Sequence, residues 1–254
     1  MTSLEIVPLQ GLPLIRAGDD LVELVGSALE LNNVTLRAGD VLVVAQKIVS
    51  KAEGRLVDLA TIEPSARAVA LAADVGKDPR LVEVVLSESV RVVRARRGVL
   101  IVEHRLGSIM ANAGVDQSNV GPPDGSTHVL LLPDNPDRSA ETLRRGLAAL
   151  TGIDIAVVIN DSFGRPWRQG TAGVAIGAAG LPALVDLRGQ PDLFGRKLEF
   201  TIIGFADEIA AAASLLMGQA DEALPAVLIR GLRWSAPEST AASIIRSSNE
   251  DLFR

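Results

Sequence analysis

Val90-Arg91-Val92-Val93-Arg94-Ala95-Arg96-Arg97-Gly98-Val99-Leu100-Ile101-Val102-Glu103-His104 reads as two β-strands, 90–95 and 99–104, separated by Arg96-Arg97-Gly98. A parallel crossover needs a dozen or more residues, so a connector this short makes the pair antiparallel. That settles the fold class, because the rest of the chain alternates strand and helix in a way that would otherwise suggest a doubly wound parallel sheet. Further strands are expected at 4–7, 40–50, 128–133, 153–161 and 226–231, where apolar runs end in turn residues. Helical periodicity covers about 19–32, 65–76, 138–151 and 207–218, with Asp, Ser or Pro at several starts. Together with the glycine-rich stretch 170–177, these segments predict an α+β fold. Its sheets are mixed and antiparallel with flanking helices, and residues 1–254 form one domain of two lobes.

The chain is 48% hydrophobic but only 3% aromatic, so its core must be built from Val, Leu, Ile and Ala. Its 25 basic and 31 acidic residues give a formal charge of -6, with neither sign gathered into a long run. This argues against a nucleic-acid or anionic-membrane surface and leaves only local anion sites. The absence of cysteine excludes disulfides, thiolate nucleophiles and thiolate metal centres. The opening MTSLEIVPLQ lacks the pattern of an export signal, and no apolar run is long enough to span a bilayer, so a cytoplasmic protein is expected.

Four segments concentrate polar chemistry. Asn160-Asp161-Ser162-Phe163-Gly164-Arg165-Pro166-Trp167-Arg168-Gln169-Gly170 follows the most apolar strand. There Asp161 and Ser162 offer hard oxygen ligands, and Arg165 and Arg168 offer guanidinium forks for an acidic substrate. A turn with solvated arginines fits the local sequence equally well. In Ser108–Asn119, Asp116 is the only acid; if it meets Asp161, the two charges repel by several kcal/mol unless a cation lies between them. Loop groups that merely satisfy backbone would explain Asp116 and Asn119 as well. Lys51, after the 40–50 strand, is a candidate phosphate contact or a solvated lysine. Met217-Gly218-Gln219-Ala220-Asp221-Glu222 closes a helix with Gly218 at the stop position. Trp167 is either a stacking surface or a packing anchor. There is no phosphate loop of the G-x-x-x-x-G-K-[ST] type, no G-x-G-x-x-G after a strand and no H-E-x-x-H. His104 and His128 are not in metal-binding spacing.

GLPLI at 11–15, VVAQKIVSKAEG at 43–54, HRLGSIMANAGVDQSN at 104–119, INDSFGRPWRQGTAGVAIG at 159–177 and MGQADEALPAVLIRGL at 217–232 resemble, in order and spacing, the coenzyme F(420)-0:L-glutamate ligase family. The resemblance implies a GTP-dependent ligase that adds L-glutamate to the deazaflavin precursor coenzyme F(420)-0 through an acyl phosphate, with γ-linkage on later additions. It also implies two divalent cations, magnesium or manganese, stimulation by potassium, and an interlocked homodimer. Carried over by position, Asp116 and Asp161 are the catalytic pair, and Asp116, Asp161, Ser162 and Gln219 are the metal ligands. The nucleotide-binding positions are Leu12, Pro13, Leu14, Ile15, Gln46, Lys51, Asn119, Met217, Gly218, Gln219, Ala220, Asp221, Glu222, Ala223 and Leu224. Gln46 stands where relatives often carry serine.

Three other readings compete. Some relatives carry a flavin-reductase domain after the ligase, and Asn249–Arg254 resembles that junction. A non-catalytic nucleotide-binding protein could keep the fold, although it has little need of paired acids. A metal-dependent phosphohydrolase could use the same carboxylates.

Overall fold

The computed structural model describes residues 3–120, 127–165, 167–247 and 249–251. In chain order these form β1 (Glu5–Pro8), α1 (Leu21–Leu31), β2 (Val41–Ala45), α2 (Gln46–Ala52), β3 (Leu56–Asp58), α3 (Ala66–Val75), α4 (Pro79–Ser87), β4 (Ser89–Arg96) and β5 (Val99–His104). They continue through β6 (Ile109–Ala111), β7 (His128–Leu130), α5 (Pro136–Thr151), β8 (Ala156–Arg165), β9 (Arg168–Ala179), β10 (Val185–Asp186), β11 (Ile202–Ile203), α6 (Phe205–Met217) and β12 (Ala226–Arg230). The fold is α+β.

The main sheet has the order β1-β12-β2-β8-β9, and only β2 and β8 run parallel. Both faces are covered, which is why its central strands read as continuous apolar runs rather than alternating ones. Leu42, Val44, Val157, Ile159 and Leu228 point to one side and pack with Val25, Leu29, Leu143 and Leu147 of α1 and α5. Val41, Val43, Val158, Val227 and Ile229 point to the other and pack with Ile209, Ala210, Ala213 and Met217 of α6. The helix starts are satisfied locally: Asp20 accepts from the Val22 and Glu23 amides, and Asn135 accepts from Arg138 before Pro136 opens α5.

The glycine-rich stretch is strand β9, and its glycines serve helix approach. A Cβ at Gly173 would lie 2.2 Å from Ser214 Oγ and 2.5 Å from the Ala210 carbonyl oxygen of α6. At Gly177 it would lie 2.4 Å from the Pro136 carbonyl oxygen of α5. Two helices therefore close on opposite faces of one strand only because side chains are missing there.

A second layer stacks α3 and α4 on the antiparallel sheet β4-β5-β6, around Val82, Val85, Leu100, Val102, Ala113 and Val129. The 90–104 hairpin is antiparallel as expected, with Arg96 opposite Val99. Three local expectations change. The 40–50 strand ends at Ala45 and continues as α2, α4 was not expected, and the 153–161 strand runs on through 162–165 as β8 where a loop was expected. Among the described residues no helix is long and apolar enough to cross a membrane.

Candidate active site

The parallel pair β2–β8 ends with Ala45 opposite Asn160. At the same edge the Ala45 amide donates to the Pro225 carbonyl and the Leu9 amide to Ala226. Segments 10–15, 46–51, 160–165 and 217–225 therefore all emerge at one edge of the main sheet, where open sheets with parallel strands characteristically bind ligands. The second layer adds 112–119. Asp116 pairs with Leu130, Lys51 Nζ donates to the Asn119 carbonyl at 2.6 Å, and Asn119 Nδ2 donates to the Ala220 carbonyl at 2.8 Å. The loop holding Asp116 is tightly constrained, with Asn112, Ala113 and Asn119 at φ of 50, 54 and 54°.

The charge of Asp116 reaches Asp161, the acid it was expected to approach. Burial pushes the Asp161 carboxyl up to about 7, a hydrogen bond from the Ser162 amide pulls it down, and the charge of Asp116 raises it again. Burial alone would raise the Asp116 carboxyl too. Hydrogen bonds from Lys47 and Ser118 outweigh that and hold it below the usual range. Lys47 Nζ lies 2.8 Å from Asp116 Oδ2, and the Ser118 amide and hydroxyl donate to Oδ1 at 2.7 and 2.8 Å. Among the described residues, the one hydrogen bond to the Asp161 carboxyl comes from the Ser162 amide, at 2.7 Å. A carboxylate so placed beside a second acid fits a cation. Among the described residues no three His, Asp or Glu side chains form a cage. An ion here would complete its shell with hydroxyl, amide, water or phosphate oxygens.

Strand alternation divides the remaining candidates. Asn160 faces α6, donating to Ser214 Oγ at 2.9 Å and to Met217 Sδ at 3.3 Å. Asp161 therefore faces the α2 side, and Ser162, opposite Gly173, shares the α6 side. Gln219 is exposed in the loop after α6, which begins at Gly218 with φ 69°. Glu222 accepts the Ala220 amide within that loop, where Ala220, Asp221 and Ala223 are exposed and Leu224 is half-buried. Met217 is buried under the sheet. Ile15 and Leu12 pack into the α1–α5 core, leaving Pro13 and Leu14 exposed. Gln46 is buried and its amide oxygen accepts from Ser50 Oγ. Arg168 is exposed at the far end of the β8–β9 hairpin, about 13 Å of strand beyond Asp161. Trp167 is 90% exposed, so it is no packing anchor within this chain.

Lys47 was not singled out from sequence, yet it is the group that binds Asp116. Two lysines four residues apart were the available signal, and they share a face once 46–52 is seen as a helix. Burial, then the Lys47 charge, lower the Lys51 ammonium, against the pull of Asp116. His104, left open by the sequence, is fully buried: its Nδ1 accepts the Leu106 amide and its Nε2 lies 3.5 Å from Glu88.

Fold and site thus define an α+β protein in which acids and lysines from separate layers meet at one sheet edge. Residues 11–231 match the family model described as F420-0:Gamma-glutamyl ligase. The chain is 50% identical to coenzyme F420:L-glutamate ligase of Methanopyrus kandleri, over 99% of this chain and 97% of that protein. It is 46% identical to the protein of that name from Methanothermobacter thermautotrophicus, over 99% of each chain. For the one from Archaeoglobus fulgidus the figure is 46%, over 98% of this chain and 96% of that one. The chain belongs to the F420-0:gamma-glutamyl ligase family.

Proposed function

We propose that this chain joins L-glutamate to the deazaflavin precursor coenzyme F420-0 at the expense of GTP. The carrying observation is the convergence of Asp116 and Asp161, remote in sequence, with Lys47 and Lys51 at one sheet edge. A free carboxylate is a poor acyl donor because its oxygen cannot depart. Moving the γ-phosphoryl group of GTP onto that oxygen releases GDP and creates a leaving group. The amine of glutamate then attacks the carbonyl carbon, loses a proton and expels phosphate. Such transfer needs positioning and charge neutralisation more than a protein nucleophile, which suits a chain without cysteine.

Magnesium or manganese ions, when bound, would neutralise charge on the triphosphate. Asp116 and Asp161 would hold one from the α2 side, and Ser162 with the Gln219 loop would serve a second from the α6 side. Potassium would add to this charge balance. Lys51 and the 12–15 and 217–224 segments would hold the nucleotide. The same reading makes the protein a homodimer. Residues 187–201 form an excursion whose Leu193, Phe194 and Phe200 are 99%, 95% and 86% exposed. Apolar surface of that kind calls for a partner.

The test is incubation with GTP, manganese, F420-0 and glutamate. Formation of GDP in step with a glutamylated product supports the reading; GDP without that product marks a phosphohydrolase, and neither marks a binding protein.

A further inference from the structure

The sheet β4-β5-β6 turns one face to the α3–α4 core, and among the described residues its other face is only partly covered. In an antiparallel sheet, directly opposed residues share a face. Val92, Val102 and Met110 form one row across it, and Ala95 with Leu100 another. Leu100, Val102 and Met110 are buried, and Val92 packs with the α3–α4 core. The other face carries the rows Arg94–Ile101–Ala111, Arg91–Glu103–Ile109 and Arg96–Val99. Arg91 Nε is tied to Glu103 at 2.7 Å. Arg94 and Arg96 are exposed and have no ion-pair partner among the described residues.

This outer face, on which Ile101 and Ile109 are half-buried, continues into the site. Its edge strand β6 lies against β8, and Ala111 leads directly into the constrained turn that delivers Asp116. Ile101, Ile109 and Ala111 thus form an apolar strip beside the carboxylates. Arg94 lies two strands further out, about 10 Å away at the strand spacing. Apolar surface next to the chemistry, rimmed by unpaired guanidinium groups, matches a ligand with a flat apolar body and anionic substituents. It does not match glutamate, which has no such body.

We propose that the outer face of β4-β5-β6 binds the deazaflavin acceptor, with its apolar body over Ile101 and Ile109 and an anionic group on Arg94 and Arg96. This rests on the functional reading above, which supplies an acceptor with a deazaflavin ring system and a free carboxylate.

The test is steady-state kinetics of the full chain with F420-0, GTP, manganese and glutamate. It compares the wild type with Arg94→Ala, Arg96→Ala, their double variant, Ile101→Asp, and the control Arg67→Ala on α3. Each arginine variant should raise KM for F420-0 about fivefold and the double variant about twentyfold, as expected for exposed charge-assisted contacts. KM for GTP should stay within twofold, and Arg67→Ala should leave both constants unmoved. Ile101→Asp should raise KM for F420-0 at least as much as either arginine variant, with a native circular dichroism spectrum. An active wild type whose double variant keeps its acceptor KM, or an equal rise from Arg67→Ala, overturns this inference alone. A wild type that neither binds nor glutamylates F420-0 overturns the functional reading and this inference with it.

Discussion

Glu88 and Asp161 are both carboxyl groups drawn away from water, and the protein treats them in opposite ways. Burial would raise Glu88, but His104, Arg105 and the charge of Arg55 outweigh it and hold the group at about 2. Arg55 and Arg105 each lie 3.0 Å from its Oε2, and both also reach Asp134. This centre ties the α4–β4 junction to the segments leaving α2 and entering α5. Among the described residues Asp161 has one backbone donor, with a second acid within electrostatic reach, and it rises to about 7. A buried acid with every partner supplied is structural; one that is short of cations waits for something the chain does not contain.

Removing the two acids of the site should have the largest effect and spare the fold. Asp161→Asn and Asp116→Ala should each lower kcat by at least about a thousandfold, near 4 kcal/mol of transition-state stabilisation. The stability of metal-free protein supplies the sign test. A carboxyl raised from 3.8 to about 7 lowers folded-state stability as pH climbs through that interval. Asp161→Asn should therefore melt higher than wild type at pH 8 without metal. A lower Tm would place Asp161 with Glu88 as a structural group.

Breaking the saturated centre should do the reverse. Glu88→Gln leaves two half-buried guanidinium groups with only the exposed Asp134 as their shared anion and should cost about 3 kcal/mol in urea unfolding at pH 7. Turnover per folded molecule should stay within a few-fold. A smaller, related effect appears with acid. Because the folded Glu88 lies below its ordinary 4.5, its contribution is present above that value and fades as pH falls towards about 2. The stability gap between wild type and Glu88→Gln should accordingly narrow between pH 5 and pH 3. A gap independent of pH would mean that packing, not charge, is lost.

The same contrast explains what the sequence made legible. The antiparallel hairpin at 90–104 followed from three connecting residues, and the apolar runs of β2, β8 and β12 were plain because both sheet faces are covered. Asp116 and Asp161 stood out as lone acids in apolar surroundings, but their approach depends on two layers meeting, which no local pattern encodes. Ile48 and Val49 suit a strand or a helix alike, so the turn into α2 at Gln46 was hidden, and Lys47 with it. Gly173 and Gly177 stood out only as part of a glycine-rich stretch that pointed to an α+β fold. Their reason is the closeness of α6 and α5, visible only after folding. Glu88 drew no notice and His104 stayed open, because their value lies entirely in partners from elsewhere in the chain.

Lys47 supplies the finest distinction between the two centres. Its ammonium sits 2.8 Å from Asp116 and also pulls the Asp161 carboxyl down, so it partly fills the role that a divalent ion would take. Arg55 and Arg105, by contrast, have no competitor for Glu88. If Lys47 is a placeholder, Lys47→Met frees Asp116 and strengthens manganese binding in the absence of nucleotide. If it is a fixed structural partner, the same change leaves a half-buried carboxylate unsupported and disturbs the loop. We expect titration of the variant with manganese, followed by calorimetry, to show binding tighter by about tenfold, near 1.4 kcal/mol. That is a modest shift, because water already screens a pair that is 28% exposed on each side. Weaker manganese binding with an unchanged circular dichroism spectrum would instead assign Lys47 to holding Asp116 in place, and the two acidic centres would then differ in degree of partnering rather than in kind.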